Sequence, residues 1–532
     1  MKPYRILILG LAALSACSGF DDLNTDPDNP TDLNPDLLIS TIEFYPGAEW
    51  QEQNRYFIYP AGFMNQWTGS WSTVEYAGCG QKHTNYHERL WATYYPEGMR
   101  YTTDVIRRTA DDPERVNLYN MARVLRVQLA QRLTDYYGDV PYSEAALGYY
   151  DHNLKPRYDT QEDIYHDFLK ELREAAAGFD ASRPLSQYDL IYKGDVEKWR
   201  RYANTLRLRV AMRLVKVEPE LARSEAEDAI RSGLFTSNDD IAMVRFEDIR
   251  NGTSGKGRGN GVSNYLYGNN DANGSEVWLT SELVKVLEDS GDPRLAIYGA
   301  VMLNDKDRTD ITAQVRSRRS CYAAMGVPAQ RYSYSQNPDY PADNGALTLT
   351  VNGKEYNLAL KETRLRPSKY LTAFDAPYIY ISYAEARLLT AEAAARGWDV
   401  AGTPSEHYQA GVRAAIEQWR LFGADPTPTQ INSYLTAHPY EAADGIRQIN
   451  TQLWLLHILD PLETWANYRR SGYPVLVFHN YEPSKNQSDG TFPRRMMYPL
   501  EEQLKNRTNY DEAVTRLGED DWTLPVWWDK DE

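Results

Sequence analysis

NLYNMARVLRVQLAQRLTDYYGDVPYSEA (residues 117–145) carries two signals in sequence. Leu118, Met121, Ala122, Leu125, Leu129, Ala130 and Leu133 recur at three- and four-residue spacing, the period of an α-helix with one apolar face. Asp135-Tyr136-Tyr137-Gly138 then stops it, because glycine accepts a left-handed conformation at a helix end. Pro141 fixes φ at the exit and prevents a restart. The stretch therefore predicts a long helix delivered into a rigid turn.

The same grammar recurs on both sides. Asp159-Thr160-Gln161-Glu162 reads as a capped helix start. The helix that follows runs through Ile164, Phe168, Leu172, Ala175 and Ala176 to Gly178. Residues 196–215 place Trp199, Leu206, Val210 and Leu214 among arginines. Residues 219–231 continue in helix up to Gly233. Residues 383–396 and 408–422 form a second helix pair, and residues 446–468 make another. Helix pairs with small residues at their crossings predict an all-α fold, mainly one unit of tetratricopeptide-like pairs, over residues 31–532. Between them, residues 45–95, 250–274, 320–357 and 483–532 read as long irregular stretches rich in aromatics, Gly, Asn or Pro, with a minor β-hairpin over 347–358.

The first residues carry a different message. Lys2 and Arg5 precede an apolar run over 6–14, then Leu14-Ser15-Ala16-Cys17. That is the layout of a secretory signal peptide over 1–16, too short to span a bilayer. Its end resembles a bacterial lipobox, in which Cys17 is acylated (palmitate or similar chains) and residues 17–30 become a tether. Beyond Cys17 only Cys79 and Cys321 remain, so one disulfide or two free thiols are both open. With 58 basic and 75 acidic residues, the net charge of −17 repels nucleic acid phosphates. The 40 tyrosines and 13 tryptophans supply faces for stacking on sugar rings or gripping peptides.

Several blocks, in order, resemble the SusD/RagB-like nutrient-binding lipoproteins. They are residues 133–145, 156–165 (PRYDTQEDIY), Tyr192-Lys193-Gly194-Asp195 with Trp199, Asn204 and Arg207, and Tyr383-Ala384-Glu385-Ala386 with Glu392 and Trp398. Further on come Trp454, Glu463 and Trp465 with Tyr468-Arg469-Arg470-Ser471-Gly472-Tyr473-Pro474, then Pro493-Arg494-Arg495 and Trp527-Trp528-Asp529. The resemblance implies four tetratricopeptide-like helix pairs with loop-rich material on one side. It implies a lipid-anchored position on the outer face of the outer membrane, and partnership with a SusC-like TonB-dependent barrel transporter. It further implies capture of oligosaccharides, or in some branches peptides, without catalysis.

The motif residues themselves read as structural. Glu385 and Glu392 sit where arginines across a crossing would pair with them, and Arg469 and Arg470 suit carboxylates or loop carbonyls. Ligand contacts are expected on the aromatic loops instead. The candidates are Asn65, Gln66, Trp67, Trp71 and Tyr76; Tyr265, Tyr267, Asn269 and Asn270; and Tyr322, Tyr332 and Tyr334. No cofactor and no metal is expected. The glycine run at 252–261 lacks a Gly-Lys-Ser/Thr ending, and no Gly-x-Ser-x-Gly elbow occurs. His83 and His87 lie in a loop-like region without a zincin glutamate. A secreted glycoside hydrolase is the rival reading, since acidic pairs such as Asp239-Asp240 and Asp520-Asp521 are many.

Overall fold

The computed structural model describes residues 33–48, 58–69, 73–78, 80–251, 257–268, 277–303, 309–318, 347–358, 363–478 and 484–530. Among these, twelve helices have ten or more residues. They are α1 (Asp36–Ala48), α2 (Arg100–Thr109), α3 (Val116–Tyr137), α4 (Gln161–Gly178), α5 (Val196–Arg213), α6 (Pro219–Ser232), α7 (Tyr383–Ala395), α8 (Pro404–Glu417), α9 (Pro428–Ala437), α10 (Gly445–Leu456), α11 (Pro461–Ser471) and α12 (Arg507–Leu517). Sequential helices pack in pairs: α2 on α3, α4 on α5, α5 on α6, α7 on α8 and α10 on α11. The halves join where α7 packs on α5 and α6, and where α11 packs on α3. Among the described residues no helix is long and apolar enough to cross a membrane.

Local chemistry accounts for the helix ends. Thr160 caps α4 by accepting from the Asp163 backbone N–H, and Asp195 caps α5 through Lys198. Gly138 closes α3 at φ 89°, and Gly472 closes α11 at φ 74°. Residues 446–468 divide at Pro461, which starts α11 with Asp460 as its cap. Helix α8 begins earlier than the apolar spacing predicts. Thr403 and Glu406 form a reciprocal capping box ahead of the first apolar contact, with Pro404 at the first position. Its last turn, Gln418–Phe422, tightens to a 3-10 helix before Gly423.

Short strands pin the non-helical layer. β1 (Trp67–Gly69) pairs antiparallel with β3 (Val277–Leu279). β2 (Ala242–Val244) pairs with β8 (Tyr378–Ile381), β4 (Gly299–Ala300) with β7 (Arg366–Pro367), and β5 (Leu347–Val351) with β6 (Lys354–Leu358). The last pair is the expected hairpin. Its turn, Asn352-Gly353, takes φ 50° and 78°, the double left-handed geometry that Asn-Gly favours.

The segment read as irregular over 45–95 is more helical than expected. It follows α1 and contains Pro60–Phe63, Thr84–His87 and Arg89–Thr93, with π-helical turns at Thr73–Gly78 and Tyr94–Met99. Four to six residues are too few for a 3.6 period to show in sequence, and tertiary packing holds each turn. The tail likewise contains Leu500–Lys505 and α12.

Candidate ligand-binding site

The signature residues go to the interior, in a frame of buried ion pairs. Arg209 of α5 makes two hydrogen bonds to Glu385 of α7, at 2.6 and 2.7 Å, and His457 Nε2 stands 3.1 Å from the same carboxylate. Arg213 reaches Glu463 of α11 at 2.8 Å. Arg470 grips Glu392 through 2.6 and 2.8 Å bonds. Burial would raise the Glu392 pKa, but Arg470 and Arg396 overcome it and hold it at about 2. Asp135, which accepts from Trp528 Nε1 at 2.9 Å and from the Tyr165 hydroxyl, goes the other way: burial lifts its pKa despite Arg213. Arg469 donates to the carbonyls of Asp135 and Arg494, both at 2.7 Å. These side chains are committed to one another.

The expected contact residues divide into three groups. Asn65, Gln66 and Trp67 are buried, and each donates a side-chain N–H to the chain itself. Asn65 Nδ2 donates to the Val477 carbonyl at 3.3 Å, Gln66 Nε2 to Trp454 at 2.6 Å, and Trp67 Nε1 to Ile458 at 2.9 Å. Trp454 returns a 2.9 Å bond to the Met64 carbonyl, so this strand is riveted to the end of α10. Tyr265 is buried as well. Tyr76 and Tyr267 are half-buried and stand at the surface. Cys17, Trp71, Cys79, Asn269, Asn270, Cys321, Tyr322, Tyr332 and Tyr334 lie outside the described residues, as does the leader.

Tyr76 belongs to an aromatic face. Its ring meets Tyr86 at 5.1 Å and His83 at 5.0 Å, both edge-on, while His83 stacks on Tyr86 at 4.2 Å. All three rings are half-buried. Beneath them Tyr59 and Trp522 are buried; Tyr59 meets Tyr76 at 6.2 Å and donates its hydroxyl to the Gln81 carbonyl at 2.7 Å. A polar rim adjoins the rings. Gln487 Oε1 accepts from the Lys82 backbone N–H at 2.7 Å, and Lys82 Nζ reaches Asp521 at 2.6 Å. Trp522 Nε1 donates to the Gln487 carbonyl at 2.8 Å, tying the rim to the tail. Aromatic faces bordered by amides and charges suit a ring with one C–H face and equatorial hydroxyls.

His87 is buried beneath this face. It stacks on Trp522 at 5.3 Å, and its Nδ1 accepts from the Met497 backbone N–H at 3.3 Å. Burial, helped by Lys82 and His83, pushes its pKa down to about 3, so the imidazole is neutral. A second half-exposed ring, Tyr267, packs on Phe374 at 4.9 Å with the Arg250 guanidinium 5.1 Å above it. Its segment is held by Asn251, which exchanges 2.7 and 2.8 Å bonds with the Gly259 backbone.

Sequence reading missed Tyr86, Lys82, Gln487 and Trp522. The first two belong to short turns without a periodic signal. Gln487 and Trp522 come from a tail some 400 residues away along the chain.

The family model "Starch-binding associating with outer membrane" matches residues 29–499. A solved structure described as a chitin-binding protein is 34% identical, with a TM-score of 0.77, covering 94% of this chain and 100% of that one. One described as Bacteroidetes AC2a SusD-like is 30% identical, with a TM-score of 0.84 over 94% and 100%. A chitin-binding SusD homolog from Flavobacterium johnsoniae shares the fold at 21% identity and a TM-score of 0.71, over 94% and 99%. No curated sequence matches the chain. The helix pairs, the buried ion-pair frame and a match over nearly the whole chain place this protein in the SusD-like family of outer-membrane-associated glycan-binding proteins.

Proposed function

We propose that this chain is a cell-surface lipoprotein that binds oligosaccharides and hands them intact to a SusC-like TonB-dependent transporter. The carrying observation is the half-exposed face of Tyr76, His83 and Tyr86 with its Lys82, Gln487 and Asp521 rim. Tyr267 with Arg250 supplies a second stacking position. Two relatives described as chitin-binding support a β-linked amino-sugar chain as the first ligand class to test. The leader over 1–16 and acylation at Cys17 supply the anchor in this reading, and the helical body from 31 onward does the binding. Asn65, Gln66 and Trp67 act as the floor that sets the position of the aromatic turns, and Trp71, Asn269, Tyr322, Tyr332 and Tyr334 stay further candidate contacts in this reading. The acidic balance keeps a peptide ligand as the second reading.

Calorimetric titration against chito-oligosaccharides, starch fragments and peptides tests this. Saturable heat with a glycan that remains intact supports capture. Saturation by peptides alone transfers the function to the second reading, and shortened glycan products make the protein a hydrolase.

A further inference from the structure

On the helical side, away from the aromatic face in sequence, α4 and α6 run in register, and two successive contacts between them can be compared. At the first, His166 Nε2 lies 2.8 Å from Glu218 Oε2. Seven residues further along both helices, Arg173 Nη1 lies 2.6 Å from Glu225 Oε1. Seven residues are about two helical turns, so the contacts are equivalent rungs. The second rung is neutralised: Glu225 also receives Arg207 of α5 at 2.6 Å. The first rung is not. Glu162, one turn before His166 on α4, brings a second carboxylate, and the three ligand atoms lie within 4.8 Å of one another. Among the described residues neither Glu162 nor Glu218 pairs with a lysine or arginine.

We propose that Glu162, His166 and Glu218 form a binding site for a transition-metal dication, zinc above all. The two carboxylates supply charge −2, which the cation balances as Arg173 and Arg207 balance Glu225 and Asp228. Imidazole selects zinc over calcium, which prefers all-oxygen shells. Zinc–ligand bonds of about 2.0–2.2 Å place ligand atoms a little over 3 Å apart. Glu162 is the exposed member of the three, the side chain with room to adjust its rotamer to an ion. His166 keeps 42% of its side chain exposed and Glu218 26%, so an ion has a direct entry path. Trp527 stands edge-on to the imidazole at 6.3 Å and walls one side. Three protein ligands leave a fourth position for water. The ion joins the first turn of α4 to the start of α6, two helices that already meet directly at Arg173 and Glu225.

The test is a zinc titration of the full chain, with bound metal counted after dialysis, for the native protein and for His166→Gln and Glu218→Gln. The site predicts one zinc per chain lost with about a tenfold or greater fall in affinity in either variant, unchanged unfolding of the metal-free variants, and no displacement by excess calcium. Cobalt on the native protein gives a readout that needs no variant: visible absorption that appears on binding at one equivalent and is displaced by excess zinc. Zinc binding undiminished in His166→Gln, equal competition by calcium, or no stoichiometric zinc in the native chain would each overturn the assignment.

Discussion

The buried frame around α3, α5, α7 and α11 and the aromatic face built from residues 58–87 and the tail use similar residue types in opposite ways. In the frame, Arg209, Arg213 and Arg470 are nearly inaccessible, and each meets a carboxylate or two. A buried ion pair adds little net stability over an apolar pair, but losing one partner strands a charge. The frame therefore specifies how the helices cross and offers nothing to a ligand. On the aromatic face the rings are only half covered, and the charged pair Lys82–Asp521 keeps about a quarter of each side chain exposed. That surface is inexpensive to alter, which is where ligand choice belongs.

Removing one side of a frame pair is the largest change this comparison predicts. Glu392→Ala leaves Arg470 buried and uncompensated, at a cost of about 3–5 kcal/mol in urea unfolding. A loss below about 1 kcal/mol would break the distinction between the two regions.

The junction of the two regions titrates through His87. Its pKa in the folded chain, about 3, lies below the unfolded value near 6.5, so the unfolded chain binds the proton more readily. The associated stability is fully present above about pH 6.5 and is lost as pH falls toward 3, up to about 5 kcal/mol. His87→Gln should flatten the native stability profile over that window, measured as the difference between the two proteins' unfolding midpoints.

Gln66 sharpens the boundary, being a residue of the aromatic segment used as frame. Gln66→Ala frees the Trp454 carbonyl in the interior and should cost about 1–3 kcal/mol. Glycan affinity of the fraction that stays folded is expected to be unchanged. Tyr86→Ala reverses the pattern: affinity for a bound oligosaccharide falls about tenfold, roughly 1.4 kcal/mol, with a smaller effect on unfolding. If the two variants exchange behaviours, the ligand surface lies on the strand and not on the turns. The smallest effect is reserved for a position in neither region. Gly353→Ala, at φ 78° with open space around it, strains the β5–β6 turn by about 1 kcal/mol and leaves binding intact.

Legibility followed the same division. The stop at Asp135–Gly138 was readable from local chemistry, and helix placement made it readable that Glu385 and Glu392 would meet arginines, though not which ones: Arg209 and Arg470. The 117–133 stripe described only half of α3, however. Asn117, Gln128, Arg132 and Thr134 are buried too, because α3 has neighbours in α2, α4 and α11 and no solvent face. A single apolar stripe has no way to register a polar residue whose partner is hundreds of positions away, as Arg132 has in Asp460 at 2.6 Å. The aromatic regions were equally visible as composition, but composition does not separate Trp67, spent on a backbone carbonyl, from Tyr76, left at the surface.

By itself, then, the order of amino acids determined the helix pairs, their caps, the Asn-Gly hairpin and the family, since these depend on residues within a few positions of one another or on ordered blocks. Which aromatics face solvent, which histidine is buried neutral and which carboxylates lack a cation were decided only in the tertiary structure. Each of those outcomes turns on neighbours delivered from distant segments: Trp522 over His87, Ile458 under Trp67, Glu218 against His166. Burial and electrostatic pairing act through space, and the chain's own spacing carries no record of them.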